Sequence, residues 1–390
     1  MFLSLRKVNL LSLGSSMKVE EVDNFQSLKD CWNNLLKRNL LGDNVFLTWD
    51  WLSTLWKHFS DGRKLLLLKV EDGDEVAAIA PLMLSKYKLP FFGTIKKVEF
   101  LGVRHSDYNN FIILKKEVEC LRLILDYLIN VVTDWDWIEL KDIPETSENA
   151  GYLEKLFSDI PSKLRLDRRV CNICPYILLP NSYAVLTAKL SKNMRQNINK
   201  YLRKAKANHN VEFKKYDEAG FSVDEAMRVF MKLHEARWAL EGLHGAFRDN
   251  QLFRDFHMEI AKIFSIKNWL GLYFLIADGK PVSVQYTFEY GDKVYYYLGG
   301  FDPNYSQYSI GNLTIMFMLE RAVKNGFKEY DMMRGNEYYK RLWTNHYRRN
   351  FEFRLIPKDL RCKLYSWLTW NSVIGKLASK MKFSLKQMTI

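Results

Sequence analysis

The sequence contains the same order of predicted elements twice, and this repetition restricts the fold more than any other feature. In each half a two-stranded hairpin precedes a third strand, an amphipathic helix and a buried strand, as the spacing of apolar residues indicates. The hairpins turn at Asp72-Gly73-Asp74 and at Asp278-Gly279, which is typical turn chemistry. The predicted elements lie at 64–71, 75–84, 97–102, 117–132 and 135–141 in the first half, and at 270–277, 281–290, 293–301, 310–325 and 328–333 in the second.

This repeated order predicts an α/β protein with mixed sheets (α+β), built from two tandem domains. Three prolines lie in or beside the expected border near residues 160–175. We therefore expect domains at 17–165 and 166–358, followed by a basic amphipathic segment at 359–390. Residues 183–208 and 221–240 have the pattern of two further helices. A coincidental alternation of strands and helices is the alternative to duplication.

Composition favours a folded protein of two or three domains in a reducing compartment. Of 390 residues, 48% are hydrophobic and 14% aromatic, which excludes intrinsic disorder and a fibrous repeat. The five cysteines predict no disulfide framework, and the pair Cys171-x-x-Cys174 lacks further ligands for zinc. The sequence shows neither a run of about 18 apolar residues nor a signal peptide before Met17, an alternative start. We expect a cytoplasmic protein without a metal.

The net charge of +13 is concentrated in two segments. Residues 189–215 hold nine lysines or arginines against Glu212, and residues 341–390 hold eleven against Glu352 and Asp359. The rest of the chain is mildly acidic, so the overall charge alone does not indicate nucleic-acid binding. Residues 361–390 interleave apolar and basic side chains, which predicts either an amphipathic helix on a membrane surface or a helix that covers the core.

The second-half order of a strand at 293–301, a helix from Ile310 and a strand at 328–333 resembles the acyl-CoA-binding core of the GNAT N-acyltransferase superfamily. The duplication is similar to the FemAB branch, and short phrases within residues 18–356 resemble the CelD/BcsL family of exopolysaccharide-associated acetyltransferases. These phrases are F-L-T-W-D-W-L at 46–52, A-P-L at 80–82, F-L-G at 100–102, S-D-Y-N at 106–109, L-H and R-W within 233–238, G-G-F-D-P at 299–303, S-I-G at 309–311, and Y-D and R-G within 330–335, followed by Tyr339-Lys340.

The resemblance implies that an acyl-CoA, above all acetyl-CoA, binds where the third strand leads into the helix. The implied donor-binding residues are Tyr308, Ser309, Ile310, Gly311, Asn312, Leu298 and Gly299. The free N–H groups of a helix N-terminus suit a pyrophosphate, although an ordinary N-cap by Ser309 has the same sequence pattern. The family's loop has a second small residue where this chain has Asn312, so aminoacyl-tRNA stays open as the donor.

Acyl transfer to an amine requires a base for the amine proton and an acid for the leaving thiolate. Asp331, in the Tyr-Asp-x-x-Arg-Gly phrase, is the first candidate base and Glu289 is the second. A buried structural pair of Asp331 with Arg334 is the alternative. Tyr297 is the candidate acid, because a phenol on the cleft face of the third strand can protonate a thiolate. Packing of the tyrosines at 295–297 within the sheet is the alternative.

The resemblance also implies a set of acceptor contacts. The first domain lacks the glycine loop and is expected to be degenerate, shaping an acceptor groove through Asp107, Tyr108 and Asn109. In the second domain the implied contacts are His234, Arg237, Trp238, Asp302, Arg334 and Lys340. A core histidine beside Trp238 is the alternative for His234. The implied acceptor is an amine on a sugar or related polar molecule in exopolysaccharide or cell-envelope metabolism.

Two other functions stay open from the sequence. A tRNA-dependent aminoacyl transferase would use the basic segment 189–215 to contact phosphates, although the coiled-coil arm frequent in such FemAB enzymes is not predicted here. A non-catalytic module would attach residues 361–390 peripherally to the inner face of a membrane or to a polysaccharide machine.

Overall fold

The computed structural model describes residues 7–8, 17–38, 43–89, 93–132, 134–156 and 161–358. Within these ranges the chain forms two compact units. The first takes the described residues of 7–38, 46–171 and 350–358, and the second takes 43–45 and 172–349. The sequence placed the border at 165/166 and ended the second domain at 358. The predicted amphipathic segment 359–390 lies outside the described residues.

The first unit is a mixed sheet with helices packed on it. Its elements are β1 (Lys7–Val8), β2 (Met17–Val22), α1 (Lys29–Arg38), α2 (Trp49–Phe59), β3 (Arg63–Asp72), β4 (Glu75–Leu89), β5 (Gly93–Phe100), β6 (Ile112–Ile113), α3 (Glu117–Asn130), β7 (Trp137–Pro144) and α4 (Glu148–Leu156), after which β8 (Leu164–Leu178) leads into the second unit. The strand order is β1-β2-β3-β4-β5-β7, with β6 beside β4. All these pairs are antiparallel except β5 with β7, as expected when a helix connects two strands of one sheet.

The second unit repeats this design with helices on both sides of its sheet. Its elements are α5 (Tyr183–Ala188), α6 (Lys192–Asn208), β9 (Val211–Lys215), α7 (Val223–Ala239), α8 (Gln251–Ile266), β10 (Leu270–Ala277), β11 (Lys280–Tyr290), β12 (Lys293–Phe301), α9 (Ile310–Lys324), β13 (Glu329–Asp331) and α10 (Tyr338–Arg341), and β14 (Tyr347–Pro357) returns to the first unit. The order is β9-β10-β11-β12-β13-β8, in which only β12 and β13 run parallel.

The predicted mixed α/β class is confirmed, and the strand limits at β10 and β12 match the predictions. The single helix expected over 183–208 is wrong, because the chain interrupts it and starts α6 afresh. Ser191 begins α6 by accepting a hydrogen bond from the amide of Met194 at 3.2 Å. α7 begins with a reciprocal capping box between Ser222 and Glu225.

The close packing of α7 on β12 depends on Gly300. A Cβ at this position would overlap backbone atoms of Leu233 and His234, so only glycine lets the helix backbone rest directly on the strand. The His234 ring adds a hydrogen bond from Nδ1 to the Gly299 carbonyl oxygen, at 2.9 Å. These two contacts fix the carboxyl-terminal turn of α7 against β12.

A methyl group at Gly300 should therefore destabilise the second unit, because it forces α7 away from β12. We expect Gly300→Ala to lower the free energy of unfolding by about 1–3 kcal/mol, measured by urea denaturation. Gly311→Ala is the control, since a Cβ there meets only Phe301 Cδ1, at 3.9 Å, and should leave stability unchanged or raised. Equal losses in the two variants would contradict the proposed role of the contact.

Candidate active site

β12 and β13 pair over three residues only and then separate. The parallel register joins Lys293 to Glu329, Val294 to Tyr330 and Tyr295 to Asp331. From residue 296 to 301, no strand of the described chain pairs with β12 on that side. On the other side a β-bulge shifts the register, with Tyr286 opposite Leu298 and Thr287 opposite Tyr296. The result is an open strand edge in the middle of a packed domain, which is where bulges and unpaired backbone often serve a site.

This open edge leads into the N-terminus of α9. A short turn of 3₁₀ helix, Pro303–Tyr308, connects them, and Asp302 caps it by accepting the amide of Asn304 at 3.0 Å. Ser309 has a left-handed backbone, with φ of 51°, and its side chain caps no backbone amide. The alternative of an ordinary serine N-cap is therefore wrong.

The first turn of α9 keeps free amide groups and open space. Within the helix the amides of Asn312 and Leu313 donate to the Ser309 carbonyl, and the two preceding amides, of Ile310 and Gly311, have no intrahelical acceptor. A Cβ on Gly311 would point into space bounded only by Phe301. The Asn312 side chain is already used, because its Nδ2 donates to Ser309 Oγ at 3.0 Å and its Oδ1 accepts from Trp343 Nε1 at 3.2 Å.

Two phenols meet beside the open edge. The Tyr296 oxygen lies so close to Gly299 that a Cβ there would overlap it, and Tyr339 of α10 donates a hydrogen bond to Tyr296. Burial raises the pKa of Tyr296 to about 12, although the positive charge of Arg237 and the bond from Tyr339 oppose that rise. Tyr296 is therefore protonated at neutral pH and able to act as an acid.

Tyr297, the acid predicted from the sequence, lies among rings on another side of the strand. Its ring centroid is 5.1 Å from that of Phe288 and 5.3 Å from that of His257 in α8. Leu298 follows it opposite Tyr286. These contacts favour the alternative that Tyr297 packs within the sheet. It is Tyr296, and not Tyr297, that lies beside Gly299 and Tyr339.

Asp331, the first candidate base, is fully buried at the point where β13 ends. One of its oxygens accepts the Met333 amide at 2.8 Å, and the other lies 3.6 Å from Nη1 of Arg348. Arg348 also pairs with Glu329 at 2.6 Å. This arrangement favours the structural alternative for Asp331, with Arg348 of β14 as an ion-pair partner that the sequence did not suggest.

Glu289, the second candidate base, lies opposite Val294, before the stretch where β12 is unpaired. Its carboxylate accepts the Tyr273 hydroxyl at 2.6 Å and pairs with Lys215 at 3.1 Å. Both oxygens are therefore engaged in linking β9, β10 and β11.

The segment after β13 carries two of the predicted acceptor contacts, Arg334 in the loop and Lys340 in α10. Lys340 is buried, and its ammonium donates to the Arg334 carbonyl at 2.8 Å and pairs with Glu337 at 3.1 Å. Gly335 has φ of 123°, and a Cβ there would overlap the Glu337 carboxylate. The Glu337 side chain stays half exposed, and its negative charge raises the pKa of both Tyr296 and Tyr339. Glu337 is thus a carboxylate near the two phenols that sequence reasoning missed.

The part of α7 between residues 233 and 238 supplies a histidine and an arginine to the same region. His234 is buried, and burial lowers its pKa, so it is neutral, with Nδ1 donating to Gly299 and Nε2 accepting the Ala246 amide at 3.5 Å. Arg237 stacks 4.4 Å over the Trp238 ring and pairs with Glu241 at 2.9 Å. His234 therefore has the structural role that the sequence left open, whereas Arg237 faces the phenols.

In the first unit, the chain itself lies along the corresponding strand edge. β5 and β7 pair in parallel over three residues from Lys97 and Trp137. Beyond them, the Asn109 amide donates to the Asp142 carbonyl at 2.9 Å and its side chain donates to the Lys141 carbonyl at 3.2 Å. Asp107 and Tyr108, the other predicted contacts, are buried there with Asn109. All three residues are part of the packed interior of this unit.

Comparison with known families identifies the second unit. Residues 192–341 match the family model of the acetyltransferase (GNAT) domain, the stretch that contains β12, β13 and the N-terminus of α9. This stretch of the second unit therefore belongs to the GNAT acetyltransferase domain family, and the predicted superfamily is confirmed for it. No curated protein matches the sequence.

Solved structures extend the likeness to nearly the whole chain. FemX has 12% identical residues and a TM-score of 0.60, over 90% of this chain and 99% of its own. L-PGS from Bacillus licheniformis has 9% identity and a TM-score of 0.52, over 89% and 96%. The C-terminal domain of a protein described as a lysylphosphatidylglycerol synthetase of Agrobacterium fabrum has 10% identity and a TM-score of 0.52, over 90% and 98%. At such identities the likeness shows the fold alone, which is the FemAB-like architecture expected.

The described residues hold neither a candidate membrane-spanning helix nor a candidate metal cluster. Across these ranges no helix is both long and apolar enough to span a membrane. The same residues contain no group of three or more histidine, cysteine, aspartate or glutamate side chains suited to hold a metal ion.

The buried and exposed carboxylates should respond differently to amidation. We expect Asp331→Asn to lower the free energy of unfolding by about 3 kcal/mol, because it leaves the buried Arg348 charge poorly compensated. Glu337→Gln should change it by less than about 0.5 kcal/mol, because that side chain is half exposed. Urea denaturation of both variants measures this. A stable Asp331→Asn protein would argue against the structural role.

Proposed function

We propose that the protein transfers an acyl group, acetyl first among the candidates, from acyl-CoA to an amine of a sugar or related polar acceptor. The observation that carries the donor part is the stretch 296–301 of β12, which has no partner strand on the β13 side in the described chain and leads into the open N-terminus of α9. The acceptor class and a setting in exopolysaccharide or cell-envelope metabolism, in the cytoplasm or at its membrane face, rest on the resemblance to the CelD/BcsL family.

The stretch 296–301 of β12 and the N-terminus of α9, together called the groove, suit the pantetheine arm and the pyrophosphate of coenzyme A. A strand edge without a partner strand suits the amides of a pantetheine arm, which would lie along the edge as an added strand does. The amides of Ile310 and Gly311, at the positive end of the helix dipole, suit a pyrophosphate. The empty space at Gly311 allows the close approach that this binding requires.

The side chains around the gap suit the two proton transfers. As the amine attacks the thioester carbonyl, the C–N bond forms and the C–S bond breaks, so the amine loses a proton and the thiolate gains one. We assign the base to Glu337, directly or through a water molecule, because its carboxylate is accessible. We assign the acid to Tyr296, which the hydrogen bond from Tyr339 supports while it carries negative charge. Asp331 and Lys340 hold the intervening loop.

We further propose that only the second unit binds the donor. In the first unit, the backbone groups of Lys141 and Asp142 that follow the parallel pairing already accept hydrogen bonds from Asn109. An arm of coenzyme A would have to displace this buried loop. One donor per chain is the expected stoichiometry.

Calorimetric titration tests the donor site directly. We expect acetyl-CoA or a longer acyl-CoA to bind with one site per chain, and Gly311→Val to weaken binding by about tenfold or more, because its side chain fills the space above the helix amides. Gly151→Val is the matched control, a helical glycine of α4 that also faces open space, and it should bind as the wild type does.

Binding of no acyl-CoA by the wild type would overturn the donor assignment. A specific observation then favours aminoacyl-tRNA, because α6 bears six cationic residues and no acidic one: Lys192, Arg195, Lys200, Arg203, Lys204 and Lys206. A salt-sensitive gel shift with total tRNA is expected in that case. The membrane-associated module rests on residues 361–390, which lie outside the described residues.

A thiol-release assay with acetyl-CoA and a panel of amino sugars tests the chemistry. We expect Tyr296→Phe to lower kcat by about 100-fold, because the acid for the thiolate is lost, with the affinity for acetyl-CoA maintained. Tyr297→Phe is the matched control one residue away, and it should keep most of the activity. The opposite order of the two variants would restore Tyr297 as the acid.

A further inference from the structure

Arg237 has a buried nitrogen with no partner. Within the described residues, no acceptor lies within hydrogen-bond reach of its Nη1, which is shielded from solvent. Buried polar groups are almost always paired, and leaving a charged donor unpaired is costly. Such an atom indicates a place where a ligand supplies the acceptor.

The guanidinium is held in one orientation by its own helix. Nη2 donates to Glu241 Oε1 at 2.9 Å, four residues further along the chain, and Cζ lies 4.4 Å from the centroid of the Trp238 ring. The bond engages Nη2 and leaves Nη1 for another acceptor. A planar, fixed guanidinium loses little freedom when it binds an anion, so the site is preorganised.

The orphan nitrogen lies at the reacting end of the groove. α7 is fixed to β12 at Gly299 and Gly300, and Arg237 is three residues beyond His234 on the same helix face. The positive charge of Arg237 lowers the pKa of Tyr296 and of Tyr339, so the guanidinium is near both phenols. The ligand of Nη1 would therefore lie next to the acid of the reaction.

Of the two substrates, the one that carries the amine is the one whose anion fits the position beside Arg237 Nη1. In the proposed function the phosphates of coenzyme A bind at the N-terminus of α9, and the pantetheine arm that reaches Tyr296 is uncharged. A simple acyl group such as acetyl is uncharged as well. An anion beside Tyr296 then belongs to the molecule that brings the amine.

We propose that Arg237 binds a carboxylate or phosphate of the acceptor, so that the preferred acceptor is an acidic amine, such as an amino sugar acid or an amino sugar phosphate, rather than a neutral amino sugar. This inference rests on the proposed function and specifies its acceptor.

Three acceptors with one ring and different charges test it: glucosamine, glucosaminuronic acid and glucosamine 6-phosphate. In the thiol-release assay the wild type should show a KM about 10- to 100-fold lower for at least one acidic acceptor than for glucosamine. Arg237→Gln should remove this preference, because it should raise the KM for the acidic acceptor much more than the KM for glucosamine. Arg237→Lys, which keeps the charge without the planar fork, should retain part of it.

Arg228→Gln is the control, because Arg228 is an exposed arginine of the same helix, and it should keep the wild-type preference. The acidic acceptor with the lower KM shows whether Arg237 binds a carboxylate or a phosphate. Equal loss of turnover with all three acceptors in Arg237→Gln would overturn the inference, as would a weaker affinity for acetyl-CoA in that variant. A preference for succinyl-CoA over acetyl-CoA that depends on Arg237 would instead assign the anion to the acyl group.

The proposed function and this inference fail in different ways. Absence of acyl-CoA binding and of thiol release in the wild type would overturn the proposed function. Calorimetric titration of the two acidic amines without any donor still tests the inference about Arg237. Their binding should be weakened about 10- to 100-fold in Arg237→Gln and not in Arg228→Gln. No binding of either acidic amine to the wild type, together with no preference in turnover, would refute the site.

Discussion

The brief parallel pairing of β12 with β13 is the constraint on which the rest of the second unit depends. Three residue pairs hold the strands together, and the strand edge beyond Tyr295 is left without a partner strand in the described chain. Backbone groups inside a protein must find partners, so such an edge needs partners other than a strand, as the Gly299 carbonyl finds in the His234 ring. The first unit differs, because β5 ends at Phe100, one residue after its last pair with β7, and Asn109 donates to carbonyls of β7 beyond that pairing. One fold therefore gives one open and one closed copy.

Close packing and buried charge keep the open copy in shape. The backbone of α7 rests on Gly300, and Asp331, Glu329 and Arg348 form a buried ionic cluster where the strands part. Buried ion pairs contribute little net stability but are costly to break, so this cluster fixes a geometry more than it adds free energy. The carboxylates of Asp331 and Glu329 are thus engaged in this cluster, whereas the carboxylate of Glu337 stays half exposed.

The order and limits of most strands were predictable, because they follow from local apolar alternation and turn residues. The break between α5 and α6 was not, since the basic pattern continues through Ser191. Alternation separated Tyr296 from Tyr297 but did not say which of them reaches Gly299. Asp331 was singled out from its phrase, yet Arg348 pairs with it from β14, which no local pattern connects to that phrase. The alternative that Ser309 caps α9 was wrong, because the Ser309 backbone is left-handed and its side chain caps no amide.

The sequence by itself determined a duplicated mixed α/β chain and the superfamily of its second half, because element order and short phrases are written in local patterns. Only the tertiary structure decided which groups are available for chemistry. A carboxylate or a phenol becomes a base or an acid according to its burial and hydrogen-bond partners, and these come from distant segments. Asp331 and Glu289 are engaged by such partners, whereas Tyr296 and the unpaired nitrogen of Arg237 are brought together by the packing of α7 on β12.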